Sequence, residues 1–281
     1  MKYADLHVHT FYSDSTFSPE EVVACAKDKG LSAVAICDHD STEGIEPCIR
    51  AARQLNIEII PGIEFTVEKS DVEIHILGYF MDYKTDWLQK KLAAIRKARI
   101  ERLSKMVSKL NDKGIPVKVA DVLSIAGKGT VGRLHLAQTM FRTKKIRTIQ
   151  EAFDKYIGFM KPCYVANVRF SPQEAIGAIL KTGGVPVLAH PHIMGRDEYI
   201  PDLINYGLRG IEVYHTDHKP SVAKHYEALA KDFGLLITGG SDCHGLGKGR
   251  VLLGGVRVPY TVVEKLKEEA QRIRKEQNRP S

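Results

Sequence analysis

Five short apolar runs in this chain each end on residues able to bind a metal or carry a proton. Ala4-Asp5-Leu6-His7-Val8 leads to His9, the run 32–37 to Asp38-His39-Asp40, and 57–63 to Glu64. The run 185–189 ends at His190, and 235–238 leads through Gly239-Gly240-Ser241 to Asp242-Cys243-His244. Runs of this length, alternating with helical stretches, read as strands of an α/β fold. In a closed parallel barrel the carboxyl ends of the strands meet at one mouth, so ligand-type residues placed there converge from distant parts of the chain. His7 and His9, two positions apart on an extended strand, project from one face as a pair of imidazoles suited to a divalent metal. Two histidines in a strand are usually packing or surface residues. The repetition at five strand ends is what turns the reading towards a site.

With 281 residues, 43% hydrophobic and 27% charged, the chain can bury one large core with an insertion. No stretch approaches the ~20 consecutive apolar residues of a membrane span, and no basic-then-apolar leader is visible. Five cysteines without a C-x-x-C pair read as reduced and structural, which makes a cytoplasmic setting the expectation. A net charge of +7 favours anionic partners.

Ser18-Pro19-Glu20-Glu21 and Ser171-Pro172-Gln173-Glu174 are helix starts, each with an N-cap serine, a proline at the first helical position and a capping-box glutamate. Further helices are expected over 43–55, 198–206, 220–232 and from 261, with strands at 72–79, carrying His75, and 210–214, ending in His215. From 85 to 110 apolar residues recur at helical spacing, with lysine and arginine between them, and no convincing strand follows before 162. The expectation is an α/β body made of 1–81 and 163–281, with 82–162 inserted as a helical substrate cap.

Asp5-x-His7-x-His9, Asp38-His39-Asp40, Gly62-Ile63-Glu64, His75, Ala189-His190-Pro191 and Gly240-Ser241-Asp242-x-His244 together resemble the signature of PHP-domain (polymerase and histidinol phosphatase) metallophosphoesterases. The resemblance spans the whole chain, Gly132-Arg133-x-His135 included, and is strongest to the branch with nucleoside 3′,5′-bisphosphate phosphatases and 5′→3′ exoribonucleases. It implies a distorted (β/α)₇ barrel and two to three divalent ions (Mn, Fe or Zn). His7, His9, Glu64 and Asp242 would hold one ion. Glu64, His75 and His190 would hold a second, and Asp14, His39 and His244 a third. Leu134 stands where this branch commonly has proline.

Six neutral imidazoles and three carboxylates against three divalent ions leave a net charge of about +3, which attracts a phosphate dianion, and metals lower the pKa of bound water to about 7. A hydroxide bridging such ions would serve as nucleophile, with no serine or cysteine required. Around the cluster, Arg133 and Arg169 are candidates to clamp a second phosphate. His135 is a candidate substrate contact or proton donor, and His192 or His215 a candidate donor to the leaving group. Cys243 reads as structural, and His218 and His225 as surface residues. The expected substrate is a phosphorylated nucleotide or the 5′ end of a short RNA, with no membrane or protein partner. The rival readings are a histidinol-phosphate phosphatase or other small phosphomonoesterase, and a catalytically silent PHP scaffold or nucleic-acid-binding module. Silent versions would be expected to lose ligands, and this chain keeps all nine.

Overall fold

The chain opens as alternating strands and helices: β1 (Tyr3–Val8), α1 (Pro19–Asp28), β2 (Ala33–Ile36), α2 (Ile45–Ala52) and β3 (Glu58–Lys69). The structure is a computed structural model that describes residues 1–70, 72–166, 170–247 and 249–278. Ser18 starts α1 by both halves of a capping box: its Oγ accepts the Glu21 N–H at 3.2 Å, and Glu21 accepts the Ser18 N–H at 2.7 Å. Ser171 and Glu174 repeat the device at α7 (Pro172–Lys181).

β3 does not stop at Glu64, as the apolar run 57–63 suggested. It continues to Lys69 and pairs antiparallel with β4 (Val72–Tyr79). The reason is a period-two pattern: Ile63, Phe65 and Val67 are fully buried in one apolar cluster, while Glu64, Thr66 and Glu68 alternate with them. Glu64 therefore sits in mid-strand. β4 is also antiparallel to β5 (Val185–Leu188), whereas β5, β6 (Gly210–His215) and β7 (Leu236–Gly240) are parallel neighbours. The sheet order is β7-β6-β5-β4-β3-β2-β1-β8, the two-residue β8 (Val258–Pro259) pairing antiparallel with β1. A parallel bridge between Val8 and Cys243, with the His9 N–H donating to the Cys243 carbonyl at 3.0 Å, brings the end of β7 back to β1. The body is a nearly closed, distorted α/β barrel, and the antiparallel β4 is its principal distortion.

Between β4 and β5 lie α3 (Asp86–Asp112), α4 (Val119–Ala126), α5 (Arg133–Arg142), α6 (Ile149–Ala152) with its π-helical extension to Ile157, and then α7. The apolar stripe of α3 serves two cores. Leu88, Leu92 and Ile95 pack against the barrel, while Leu103, Met106, Val107 and Leu110 build a separate cluster with Val122, Leu136, Met140 and Ile157. One helix thereby carries the inserted group on the barrel. The second half of the chain adds α8 (Pro191–Met194), α9 (Ile200–Asn205), α10 (Pro220–Asp232) and α11 (Thr261–Gln277). Leu266, Ala270 and Ile273 of α11 pack on Ala4 and Val185. Among the described residues, no helix is long and apolar enough to cross a membrane, and the five cysteines are free.

Candidate metal centre

Glu64 has five imidazoles around its single carboxylate. Oε1 stands 2.8 Å from His75 Nδ1 and 3.0 Å from His190 Nε2. Oε2 stands 3.3 Å from Nε2 of both His7 and His9, and 3.1 Å from His39 Nδ1. Asp242 joins from beyond β7, its Oδ1 lying 3.1 Å from His9 Nε2 and 3.5 Å from His7 Nε2. Asp14 meets His244 at 3.1 Å and His39 at 4.0 Å. The strand ends are brought this close by a missing side chain. A Cβ at Gly240 would lie 2.3 Å from the His7 backbone nitrogen and 2.4 Å from its Cβ, so only glycine lets β7 pass β1 here.

Three sets of donor atoms fall within 4.8 Å of one another: His7, His9, Glu64 and Asp242; His9, Asp14, His39 and His244; and His39, Glu64 and His75. His190 lies beside the last set, its Nε2 3.0 Å from Glu64 Oε1. His7 Nε2, Glu64 Oε2 and Asp14 Oδ1 are buried and make no hydrogen bond of acceptable geometry. Buried polar atoms are rarely left so, and converging lone pairs of this kind fit divalent cations. Burial opposes the charge on His7, but Glu212, Glu64 and Asp242 outweigh it and hold its pKa well above the usual imidazole value. In the same way His9 is pushed up to about 9 and His75 to about 10 by their carboxylates, against the cost of burial. Burial opposes ionisation of Glu64 and Asp14, yet the surrounding imidazoles hold both well below the carboxylate range. Carboxylates and imidazoles of the cluster thus act strongly on one another's charge.

Other residues hold the donors in place. Ser13 Oγ lies 3.3 Å from His9 Nδ1 and donates to Asp38 at 2.7 Å, and Asp38 also accepts the Thr10 hydroxyl and backbone N–H at 2.7 Å each. His244 Nδ1 donates to the Asp242 carbonyl at 2.9 Å, turning Nε2 towards Asp14. Glu212, in mid-strand on β6, contacts His7 Nδ1 at 3.1 Å. Asp40, His190 and Asp242 have positive φ values of 48°, 25° and 51°, a backbone strain of about 1–3 kcal/mol each that tends to gather at functional sites.

The inserted helices reach the centre through arginines. Arg99 of α3 is buried against Asp40 at 2.6 Å, and its other nitrogens donate to Thr66 Oγ1 at 2.8 Å and the Val131 carbonyl at 3.3 Å. Breaking a buried pair leaves an uncompensated charge, so Arg99→Ala is expected to cost about 3–5 kcal/mol in urea unfolding. A loss below about 1 kcal/mol would mean that Asp40 is satisfied without it.

Arg133, at the start of α5, ion-pairs with Glu73, which stands 3.3 Å from His75 Nε2. Its guanidinium also lies 5.6 Å from the Tyr164 ring centroid. His135 is buried, and its Nδ1 accepts the Gly132 N–H at 3.1 Å, so the neutral ring carries its proton on Nε2. Burial lowers its pKa, with Asp14, Arg99 and His244 the charges that act on it. His192 stands apart. It is exposed on α8 in a surface cleft with Asp197, His225 and Tyr226, its ring 6.0 Å from His218. His215 is buried, with Nε2 3.5 Å from Asp242 Oδ2. Arg169 lies outside the described residues. Sequence reasoning passed over Glu212, Glu73 and Arg99, and gave Asp38 no role of its own within its motif. A charged residue inside an apolar strand was the available signal for Glu212, and nothing local marked the partners of the others.

Residues 5–162 match the PHP domain family. A 3′,5′-nucleoside bisphosphate phosphatase of Chromobacterium violaceum is 31% identical over 251 residues, 87% of this chain and 88% of that protein. A 5′-3′ exoribonuclease of Haemophilus influenzae is 30% identical, over 85% of this chain and 89% of that one. A phosphoribosyl 1,2-cyclic phosphate 1,2-diphosphodiesterase of Eggerthella lenta is also 30% identical, over 91% and 98%. A solved structure from Bifidobacterium adolescentis, assigned as a metal-dependent phosphoesterase, superposes with a TM-score of 0.86 at 32% identity over 95% of this chain and 96% of that one.

Proposed function

The chain belongs to the PHP domain family and is a metal-dependent phosphoesterase, and on that premise we propose that it hydrolyses phosphate esters of nucleotides, with nucleoside 3′,5′-bisphosphates or the 5′ ends of short RNA as substrates. The observation that carries the proposal is the buried cluster of three carboxylates and six imidazoles with an arginine from the inserted helices at its edge. We assign His7, His9, Glu64 and Asp242 to one ion, Glu64, His75 and His190 to a second, and Asp14, His39 and His244 to a third, the ions being Mn, Fe or Zn. When bound, such ions supply charge for the transferring phosphoryl group and a water of lowered pKa as nucleophile.

The chain's own residues do the rest. Residues 82–162 act as a cap that reads what lies beyond the reacting phosphate. Arg133 uses one nitrogen on Glu73, and a guanidinium has five N–H donors, so its fork can also take a second phosphate. His135, held neutral with its proton on Nε2, donates a hydrogen bond to the substrate rather than acting as a strong acid. His192, exposed on α8 with its ring 6.0 Å from His218, remains the solvent-side candidate for donation to the leaving group.

The test is phosphate release from a panel: mononucleotides, 3′,5′-bisphosphates, 5′-phosphorylated short RNAs, histidinol phosphate, a ribosyl cyclic phosphate and an aryl phosphate. The bisphosphate is expected to show a higher kcat/KM than its mononucleotide. A hydrogen bond to a charged group is worth about 1.5–3 kcal/mol, so Arg133→Ala should shrink that preference about tenfold or more while sparing the aryl phosphate. An equal loss on all substrates would place Arg133 in the service of the metal centre or the fold. Hydrolysis of only histidinol phosphate or the cyclic ester would overturn the substrate assignment.

A further inference from the structure

Glu212 lies at the centre of β6 between Ile211 and Val213, with no solvent exposure. Its two oxygens stand 3.1 and 3.3 Å from His7 Nδ1, and Oε2 also accepts the backbone N–H of His190 at 2.9 Å. A carboxylate has no hydrogen to give. In the neutral, metal-ligating form of His7 the contact therefore places the ring proton on Nδ1 and leaves the Nε2 lone pair facing Glu64 and Asp242. The second contact holds a backbone that needs holding, because His190 has φ 25° and ψ 62° in a sparsely populated region.

On the ligand assignment proposed above, we propose that Glu212 is a positioning residue that sets the ring tautomer of His7 and the backbone of His190 together, tying two neighbouring metal positions to one buried carboxylate. Partners of ligating histidines commonly fix the tautomer and orient the ring. Here a single side chain serves one ligand through its ring and another through its main chain. Glu212→Gln keeps the volume but offers one oxygen and one NH₂ group. If the oxygen stays with His190, the amide hydrogens face His7 Nδ1 and favour the Nε2–H tautomer, which has no lone pair for a cation.

The experiment titrates metal-free protein with Zn²⁺ and reads affinity and stoichiometry, without reference to turnover. Glu212→Gln is expected to lower affinity about 10–100-fold, while Glu212→Asp, which keeps two acceptor oxygens, recovers part of the loss. In the Zn²⁺-loaded wild-type protein, ¹⁵N spectra should show His7 protonated on Nδ1, a reading that does not depend on any variant folding. His7→Ala separates the two claims. If it loses Zn²⁺ while Glu212→Gln binds as wild type, the ligand assignment stands and the role of Glu212 falls. If His7→Ala binds Zn²⁺ normally, the assignment itself fails and this inference with it. An unprotonated Nδ1 on His7 in the wild type would also overturn the inference.

Discussion

Glu64→Gln is expected to lower kcat/KM by at least about a thousandfold, the equivalent of some 4 kcal/mol of transition-state stabilisation. The expectation follows from the number of groups that share this one carboxylate. Oε1 serves His75 and His190, and Oε2 serves His7, His9 and His39, so the five rings lean on a single negative charge. An amide of the same shape removes that charge and turns two acceptors into one acceptor and one donor, which misorients at least one ring. The substitution adds no volume, and the Ile63, Phe65 and Val67 face of β3 is untouched, so unfolding should remain cooperative. Near-normal turnover of Glu64→Gln at limiting metal would show that Glu64 is not the shared ligand. Loss of the fold would be visible as a non-cooperative melt and would point to a structural role.

The parts of this site that depend on short sequence separation were legible from the chain alone. His7 and His9 were readable as a pair because strand geometry fixes their relation, and their rings lie 5.1 Å apart. Ser18 and Ser171 were readable as caps because the motif closes within four residues. Glu64 was readable as a site residue but not as a mid-strand one. The apolar run before it hid the alternation that follows, and the antiparallel return of β4 is a tertiary event. Glu212 had no recognisable neighbour because its partners, His7 and His190, come from β1 and the end of β5. Arg99 looked like one of many cations on a solvated helix face. Only the crossing of α3 over the barrel shows that it is buried on Asp40. Convergence of strand ends could be expected from the fold class, but the contacts that hold the donors in place depend on packing that no local pattern encodes.

Phosphoester hydrolysis at this buried cluster is expected to be metal-dependent. His7, His9, Glu64 and Asp242 lie with their donor atoms within 4.8 Å of one another. Ligands such as these bind divalent ions in deprotonated form, so removing the ions removes the positive charge that the carboxylates and any bound phosphate both require. The most direct measurement is phosphate release from a nucleoside 3′,5′-bisphosphate by chelator-treated protein, with metal content determined on the same sample, before and after Mn²⁺, Fe²⁺ or Zn²⁺ is returned. Activity is expected to fall to background on demetallation and to return as two to three equivalents bind. Full activity in protein shown to be free of metal would contradict it.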